Sequence, residues 1–159
     1  MEARKEKVNI DEMDLDFAEE VMSYPGGEHL RKCFACGTCT AGCPVSEIDS
    51  EYSPRRIIRQ ILFGMREEVL TSPGIWYCLV CYRCYAHCPQ NVNFPDLMRV
   101  LRYLAIKGNY VAPDILDRIH EIDKRLQILR HDLIKYDIIK QKQENTKINT
   151  DNVKIEREK

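Results

Sequence analysis

Two copies of one cysteine pattern constrain this chain more than any other feature. Residues 33–43 read CFACGTCTAGC and residues 78–88 read CLVCYRCYAHC, and a proline follows each run, at Pro44 and Pro89. The pattern CxxCxxCxxxCP therefore occurs twice, and the two copies contain all eight cysteines of the 159-residue chain. No thiol is left for another purpose.

This spacing predicts a pair of 4Fe-4S clusters, because the first three cysteines of such a run hold one cluster and the fourth reaches across to the other. A residue before proline disfavours the helical region, so Pro44 and Pro89 favour an extended fourth cysteine that can leave its own loop. The predicted ligands of the first cluster are Cys33, Cys36, Cys39 and Cys88. Those of the second are Cys78, Cys81, Cys84 and Cys43.

Other uses of these cysteines fit the pattern less well. Disulfides in a secreted chain would be dispersed, whereas these thiols sit in tight runs. Structural zinc is often held by paired CxxC knuckles, but it explains neither the third cysteine nor the proline after the fourth. His87 lies beside Cys88 and could be a ligand, yet eight thiolates already complete two clusters.

The composition argues against some classes of function. The formal net charge is -1, so no global field points to nucleic acid or to an anionic membrane surface. The sequence shows neither a secretory signal nor about 20 consecutive apolar residues for a transmembrane segment. We therefore expect a cytoplasmic protein with no transmembrane segment and no nucleic-acid partner.

Helical patterns follow each cysteine run. Ser53 and Pro54 can start a helix with Ile57, Ile58, Ile61 and Leu62 on one face, and Gly64 offers a stop. After the second run, Asn93 or Asp96 can cap a helix that ends at Gly108, with a buried stripe of Leu97, Val100, Leu101 and Leu104. Convincing strand patterns are absent, so we predict an all-α fold.

The chain divides by composition into four segments. Residues 1–12 are expected to be flexible, and residues 13–110 to form the helical domain that binds both clusters. Residues 111–140 are predicted to form an amphipathic C-terminal helix with a heptad-like seam, packed on its own domain or on a partner. Residues 141–159 are a polar tail, expected to be disordered or ordered by a partner.

The sequence shows no phosphate-binding glycine loop and no nucleophile that the clusters leave free. The predicted chemistry is therefore a one-electron relay, and a structural or sensing iron–sulfur module is the alternative. Bulky aromatic residues near the cysteines are expected to keep water away. The nearby arginines are expected to form solvated helix faces, and the alternative is that they guide an acidic partner or offset cluster charge. The aromatics are Phe34, Trp76, Tyr82 and Tyr85, and the arginines are Arg55, Arg56, Arg59 and Arg83.

Three stretches carry a family resemblance. KCFACGTCTAGCPV at residues 32–45, SPR at residues 53–55 and IWYCLVCYRCYAHCPQNV at residues 75–92 resemble the C subunit of the soluble heterodisulfide reductase of methanogenic archaea. The resemblance covers about residues 13–110. Related domains occur in the iron–sulfur subunits of succinate dehydrogenase and fumarate reductase, in anaerobic glycerol-3-phosphate dehydrogenase, and in bacterial relatives of the reductase.

The resemblance implies an α-helical ferredoxin domain with two 4Fe-4S clusters that acts as a non-catalytic subunit of an oxidoreductase. It implies a flavin-containing A subunit, supplied by a hydrogenase or formate dehydrogenase, as the electron donor. It also implies a catalytic B subunit as the acceptor, which reduces the mixed disulfide of coenzyme M and coenzyme B. A subunit of a succinate, fumarate or glycerol-3-phosphate enzyme, or of a bacterial complex acting on another disulfide, is the alternative.

Overall fold

The computed structural model describes the backbone of residues 13–157 and the side chains of residues 13–142. Within this part the chain forms nine α-helices and one 3-10 turn, with no strand, which confirms the predicted all-α fold. The chain divides into two compact units between Ala112 and Pro113. The expected flexible segment, residues 1–12, lies outside the described residues.

The first unit consists of short helices that alternate with the cysteine loops. In chain order the elements are α1 Phe17–Met22, a 3-10 turn at Leu30–Lys32, α2 Thr38–Ala41, α3 Pro44–Ile48, α4 Pro54–Leu62, α5 Arg66–Leu70, α6 Gly74–Tyr77, α7 Arg83–Ala86 and α8 Phe94–Lys107. Only α4 and α8 are long enough to show a clear buried face. The predicted helices after each cysteine run are therefore confirmed.

Helix α8 is the centre of the core, and α1, α5, α6 and α7 all pack against it. The Asn93 side chain caps its start by accepting a hydrogen bond from the Asp96 N–H at 3.4 Å. The predicted stripe is fully buried, at Leu97, Val100, Leu101 and Leu104. Ile57, Ile58 and Ile61 of α4 complete the core from the other half of the chain.

Helix α1 begins only at Phe17, four residues after Met13, the first residue that the structure describes. The carboxylate of Asp14 accepts a hydrogen bond from the Asp16 N–H at 3.0 Å, a local turn that competes with helix. Arg66 then forms ion pairs with both Asp14 and Glu20 and covers the Phe17 ring. These contacts join the start of the described chain to α5.

The hydrogen bond from Arg66 lowers the pKa of Asp14. A carboxyl group whose pKa is lower in the folded than in the unfolded protein adds stability above its unfolded pKa. That contribution is lost as the pH falls through the folded pKa. The ion pair between Asp14 and Arg66 of α5 therefore stabilises the fold at neutral pH and weakens in acid.

The second unit is one long helix, α9, at Ile115–Arg157. It begins within the predicted range of residues 111–140, and it continues past residue 140 into the polar tail. The seam residues Leu126, Leu129 and Leu133 are about half exposed. Ordering of the tail by a partner stays a prediction. None of the helices in residues 13–157 combines the length and apolar composition needed to cross a bilayer.

A backbone contact at Gly64 gives the first testable prediction. Gly64 has φ +74°, and a Cβ there would lie 2.3 Å from the Asp14 carbonyl oxygen. We expect Gly64→Ala to lower the free energy of unfolding by about 2 kcal/mol or more, from the strained backbone and the clash. Denaturant unfolding followed by circular dichroism measures this change.

The matched control is Glu68→Ala on the exposed face of the neighbouring helix α5. We expect that variant to stay within about 0.5 kcal/mol of the parent protein. Equal unfolding midpoints for the two variants would contradict the described contact between Gly64 and Asp14.

Candidate iron–sulfur sites

The two cysteine runs adopt the same backbone conformation. In the first run Ala35 and Gly37 have positive φ angles of 58° and 88°, and in the second Val80 and Tyr82 have 50° and 59°. These residues occupy equivalent positions in CxxCxxC. In each run the second of them immediately precedes a four-residue helix, α2 or α7. The duplication seen in the cysteine spacing thus extends to the shape of the loops.

The second loop holds this shape without glycine. A left-handed residue other than glycine costs roughly 1–2 kcal/mol, and a β-branched residue such as Val80 is rare there. The conformation brings the Val80 N–H to the Sγ of Cys78 at 3.4 Å. In the same way the Val92 N–H lies 3.3 Å from the Sγ of Cys88. Strained backbone here serves to direct donors at sulfur, where they favour a thiolate.

The first cavity is lined by four cysteines drawn from both runs. These are Cys33, Cys36, Cys39 and Cys88, and Cys43 is not among the lining residues. The cavity encloses about 410 Å³, part of it open to solvent. The other lining residues are Phe34, Ala35, Gly37, Thr38, Arg55, Ile58, Pro89, Gln90, Val92 and Phe94.

The second cavity is lined by the other four cysteines. Its four thiols belong to Cys43, Cys78, Cys81 and Cys84, and Cys88 is absent from its lining. It encloses about 300 Å³, also partly open. Every other lining residue is apolar: Pro44, Val45, Leu79, Phe94 and Pro95. The structure therefore groups the eight cysteines in the two sets that the sequence predicts as ligand sets.

The backbone around Cys43 explains how this thiol reaches the other run. Cys43 is extended, with φ -86° and ψ 122°, and Pro44 follows as the first residue of α3. The predicted effect of the proline on Cys43 is thus confirmed. Helix α2 packs against α7, so the two runs face each other. A fourth cysteine that leaves its own loop then meets the neighbouring one.

The two cavities share a wall. Phe94, at the start of α8, lines both of them and is only 2% exposed. Cys39 of the first set also lies near Cys84 of the second. Groups bound in the two cavities would therefore be close neighbours.

Burial controls the protonation of the deeper thiols. It is the main cause that raises the pKa of Cys84 to about 12, and it also raises the pKa of Cys39 and Cys78. Such thiols keep their protons at neutral pH unless a bound cation compensates the thiolate charge. Four thiols around a cavity, with N–H donors behind the sulfur, suit a bulky iron–sulfur core. Among residues 13–142, no three His, Cys, Asp or Glu side chains converge on a single-ion site.

Arg55 gives the first cavity a positive charge. The Thr40 hydroxyl accepts a hydrogen bond from the Arg55 N–H at 3.1 Å, which ties α2 to the start of α4. The Arg55 side chain is exposed, as expected for a solvated helix face, and it also lines the cavity, as the alternative of offsetting cluster charge requires. Nearby, the Thr38 hydroxyl lies 3.4 Å from the Cys36 Sγ and lowers the pKa of that thiol.

Arg102 of α8 holds the start of the second cysteine run in place through hydrogen bonds. Its guanidinium group donates hydrogen bonds to the carbonyl oxygens of Ile75 at 2.8 Å, Trp76 at 3.3 Å and Cys78 at 2.7 Å. These carbonyls end α6 and begin the cysteine run, so α8 fixes where the run starts. The periodicity of α8 could not reveal this role, because its targets are backbone atoms of a distant segment.

The aromatic residues divide between surface and interior. Phe34 lines the first cavity but is 60% exposed, and Tyr85 is 39% exposed. Tyr82 donates a hydrogen bond to Asp96 at 2.7 Å, on the side of α8. The buried aromatic between the cavities is Phe94, which the sequence did not single out. His87 is exposed and lines neither cavity.

Comparison with known families agrees with this arrangement. Residues 29–92 match a family model described as a 4Fe-4S dicluster domain. That segment contains both cysteine runs and ends just before α8. The helical fold and the two sets of four thiols are consistent with this match.

Several curated relatives are C subunits of heterodisulfide reductases. The chain is 38% identical over 101 residues to the C subunit of the H(2):CoB-CoM heterodisulfide,ferredoxin reductase of Methanothermobacter thermautotrophicus, an alignment that covers 64% of this chain and 54% of the relative. It is 34% identical over 119 residues to the iron-sulfur C subunit of the CoB--CoM heterodisulfide reductase of Methanopyrus kandleri, covering 70% and 62%. A protein of Archaeoglobus profundus, named as like the heterodisulfide reductase C subunit, is 33% identical over 85 residues, covering 54% and 45%.

The predicted resemblance to heterodisulfide reductase C subunits is thereby confirmed, and the chain is a homologue of these iron–sulfur subunits. It spans about half the length of the first of these relatives and 62% of the second.

The charge of Arg55 gives the second prediction. Reduction adds negative charge, so a nearby cation stabilises the reduced form and raises the reduction potential. We expect Arg55→Gln to make the potential of the group in the first cavity more negative by on the order of tens of millivolts, since about 59 mV is tenfold for one electron. A potentiometric titration followed by electron paramagnetic resonance measures it.

Arg56→Gln is the matched control, because Arg56 lies next on the same helix, is exposed and pairs with Glu51. We expect it to leave both potentials near those of the parent. Equal shifts from the two variants, or a shift confined to the second cavity, would contradict the placement of Arg55.

Proposed function

We propose that this chain binds two 4Fe-4S clusters and passes electrons between subunits of a heterodisulfide reductase complex. The observation that carries the proposal is the exchange of fourth cysteines between the two cavities. Cys88 lines the cavity of the first run, and Cys43 lines that of the second. Two-cluster proteins with this spacing exchange the fourth ligand in the same way.

The proposed ligands are the thiolates that line each cavity. Cys33, Cys36, Cys39 and Cys88 hold the first cluster, and Cys78, Cys81, Cys84 and Cys43 hold the second. When bound, each cluster accepts and releases one electron. The protein supplies the thiolates and the N–H groups directed at sulfur, while Phe94 and the apolar wall of the second cavity exclude water.

The proposed partners follow from the family resemblance. We place the chain between a flavin-containing A subunit, with a hydrogenase or formate dehydrogenase upstream, and a catalytic B subunit. That B subunit would reduce the coenzyme M–coenzyme B heterodisulfide of methanogenesis. The relatives are named for hydrogen, ferredoxin and this heterodisulfide, which supports the assignment. This chain itself would make no bond to the substrate.

We also propose that successive segments of the chain have different roles. Residues 13–110 form the two-cluster domain, which contains both cavities and the buried core. Residues 111–140 form the C-terminal amphipathic helix, and residues 141–159 are a polar tail that is either disordered or ordered by a partner. The half-exposed seam of α9 supports a role outside cluster binding.

Replacement of the two exchanged cysteines tests the ligand sets. We expect Cys43→Ala to damage the cluster held by Cys78, Cys81 and Cys84 and to spare the other, because it removes a thiolate from the second cavity only. Cys88→Ala is the reciprocal variant and should damage the first cluster instead. Iron content and electron paramagnetic resonance of the reduced, anaerobically purified chain report each cluster.

The reciprocity makes this test specific. General unfolding would remove both clusters in both variants, whereas ligand exchange predicts two different single losses. If Cys43→Ala removed the cluster held by the first three cysteines of its own run, the proposed sets would be wrong.

Copurification tests the place of the chain in a complex. We expect an affinity-tagged chain, isolated anaerobically from its source cells, to bring down a flavoprotein and a second cysteine-rich protein. In the reassembled complex, electrons from the reduced flavoprotein should reach the heterodisulfide only when this chain is present. The Cys43→Ala variant should assemble with the partners but slow that transfer strongly.

Two results would overturn the partner assignment. One is recovery of the chain with a succinate, fumarate or glycerol-3-phosphate enzyme. The other is reduction of the heterodisulfide at the full rate by the flavoprotein and the cysteine-rich protein alone.

A further inference from the structure

Tyr52 is a buried polar residue that the cluster ligands alone do not explain. It lies in the connection between α3 and α4 and is only 4% exposed. Its N–H donates a hydrogen bond to the Asp49 carbonyl oxygen at 3.1 Å, and its carbonyl oxygen accepts one from the Ser46 hydroxyl at 2.9 Å. The backbone of Tyr52 is therefore fixed on both sides.

The ring of Tyr52 is also held in place. Its centroid lies 6.5 Å from that of Tyr77, the residue before Cys78. Gly74 packs close enough that a Cβ there would touch the Tyr52 ring at 3.8 Å. The side chain thus points inward between α4 and the segment that leads to the second cysteine run.

The hydroxyl group at the end of this ring has no hydrogen-bond partner of ordinary geometry among the described residues, although its oxygen is fully buried. The thiol beside it belongs to Cys78, and Cys43 and Cys84 are the other nearby thiols. All three line the second cavity. An unpaired buried hydroxyl destabilises the folded protein, so this position calls for an acceptor.

A thiol and a thiolate differ greatly as acceptors. Neutral sulfur accepts hydrogen bonds weakly, whereas a hydrogen bond to an ionised group is roughly twice as strong as one between neutral groups. A cysteine that binds metal does so as the thiolate. Binding of a cluster would therefore turn the neighbour of the Tyr52 hydroxyl into a good acceptor.

We propose that the Tyr52 hydroxyl donates a hydrogen bond to the Sγ of Cys78 when this cysteine holds a cluster, and that this bond raises the reduction potential of the second cluster. The inference rests on the proposed ligand sets. A donor at sulfur stabilises the reduced form more than the oxidised form, because the reduced form carries more negative charge. Tyr52 acts through Cys78 and is a positioning residue.

A further observation agrees with this role. The lining of the second cavity is otherwise apolar, whereas Thr38 and Arg55 serve the first cavity. Tyr52 would therefore provide a polar group near the second cluster, whose cavity is otherwise lined by apolar side chains.

Tyr52→Phe in the full-length, cluster-loaded chain tests the proposal. The variant keeps the ring and removes only the hydroxyl. We expect the one-electron reduction equilibrium of the second cluster to become about tenfold less favourable, a shift of about 59 mV to more negative potential. The first cluster should keep its potential. The spectrum of the Cys43→Ala variant identifies which signal belongs to which cluster.

Tyr77→Phe is the matched control, because Tyr77 adjoins both Tyr52 and Cys78 but is 47% exposed. It should leave both potentials unchanged. No shift in Tyr52→Phe, a shift to more positive potential, or equal shifts of both clusters would overturn the role of Tyr52. Full iron content with unchanged potentials would overturn this inference alone, whereas loss of the two-cluster signature from the parent chain would overturn the proposed function.

A second variant keeps the test decisive if Tyr52→Phe loses its clusters. Incorporation of 3-fluorotyrosine at position 52 retains the hydroxyl and makes it a more acidic, stronger donor. We expect the potential of the second cluster to move in the positive direction, opposite to the effect of phenylalanine. A shift in the negative direction, or none, would overturn the proposal.

Discussion

The structure depends on the crossing of two cysteines between two duplicated loops. Each cavity collects three thiols from one run and one from the other, so neither run completes a site alone. The helices next to the thiols, α2 and α7, have only four residues each and cannot be stable in isolation. They are held by each other, by α4 and by α8, and the same packing brings Cys43 and Cys88 across.

The two cysteine runs share a backbone conformation, and each cavity is lined by four thiols. The other residues around the two cavities differ. The first cavity has Arg55 and the Thr38 hydroxyl at its edge, whereas the second is apolar and meets Tyr52 behind its sulfur. Charge, hydrogen bonds to sulfur and access of water are the means by which a protein sets a cluster potential. Two clusters bound in these cavities would therefore differ in potential.

The sequence alone was enough to predict those features that depend on short motifs, such as cysteine spacing and helix caps. The spacing of the cysteines predicts their two sets, and the caps at Ser53 and Asn93 predict α4 and α8, because these signals lie within a few residues. It could not reveal Phe94 as the common wall or Arg102 as the support of the second loop. Both roles depend on segments that become neighbours only in the folded chain. The left-handed Val80 was equally hidden, since valine disfavours that conformation.

The central claim is that eight thiols in two crossed sets hold two 4Fe-4S clusters. Determination of iron, acid-labile sulfide and zinc in the anaerobically purified chain, with Mössbauer spectra of the same sample, tests it most directly. The account predicts about eight irons and about eight sulfides per chain, all in the spectral form of 4Fe-4S clusters, and no stoichiometric zinc. About two zinc ions per chain without sulfide, or iron for a single cluster in a fully loaded sample, would contradict it.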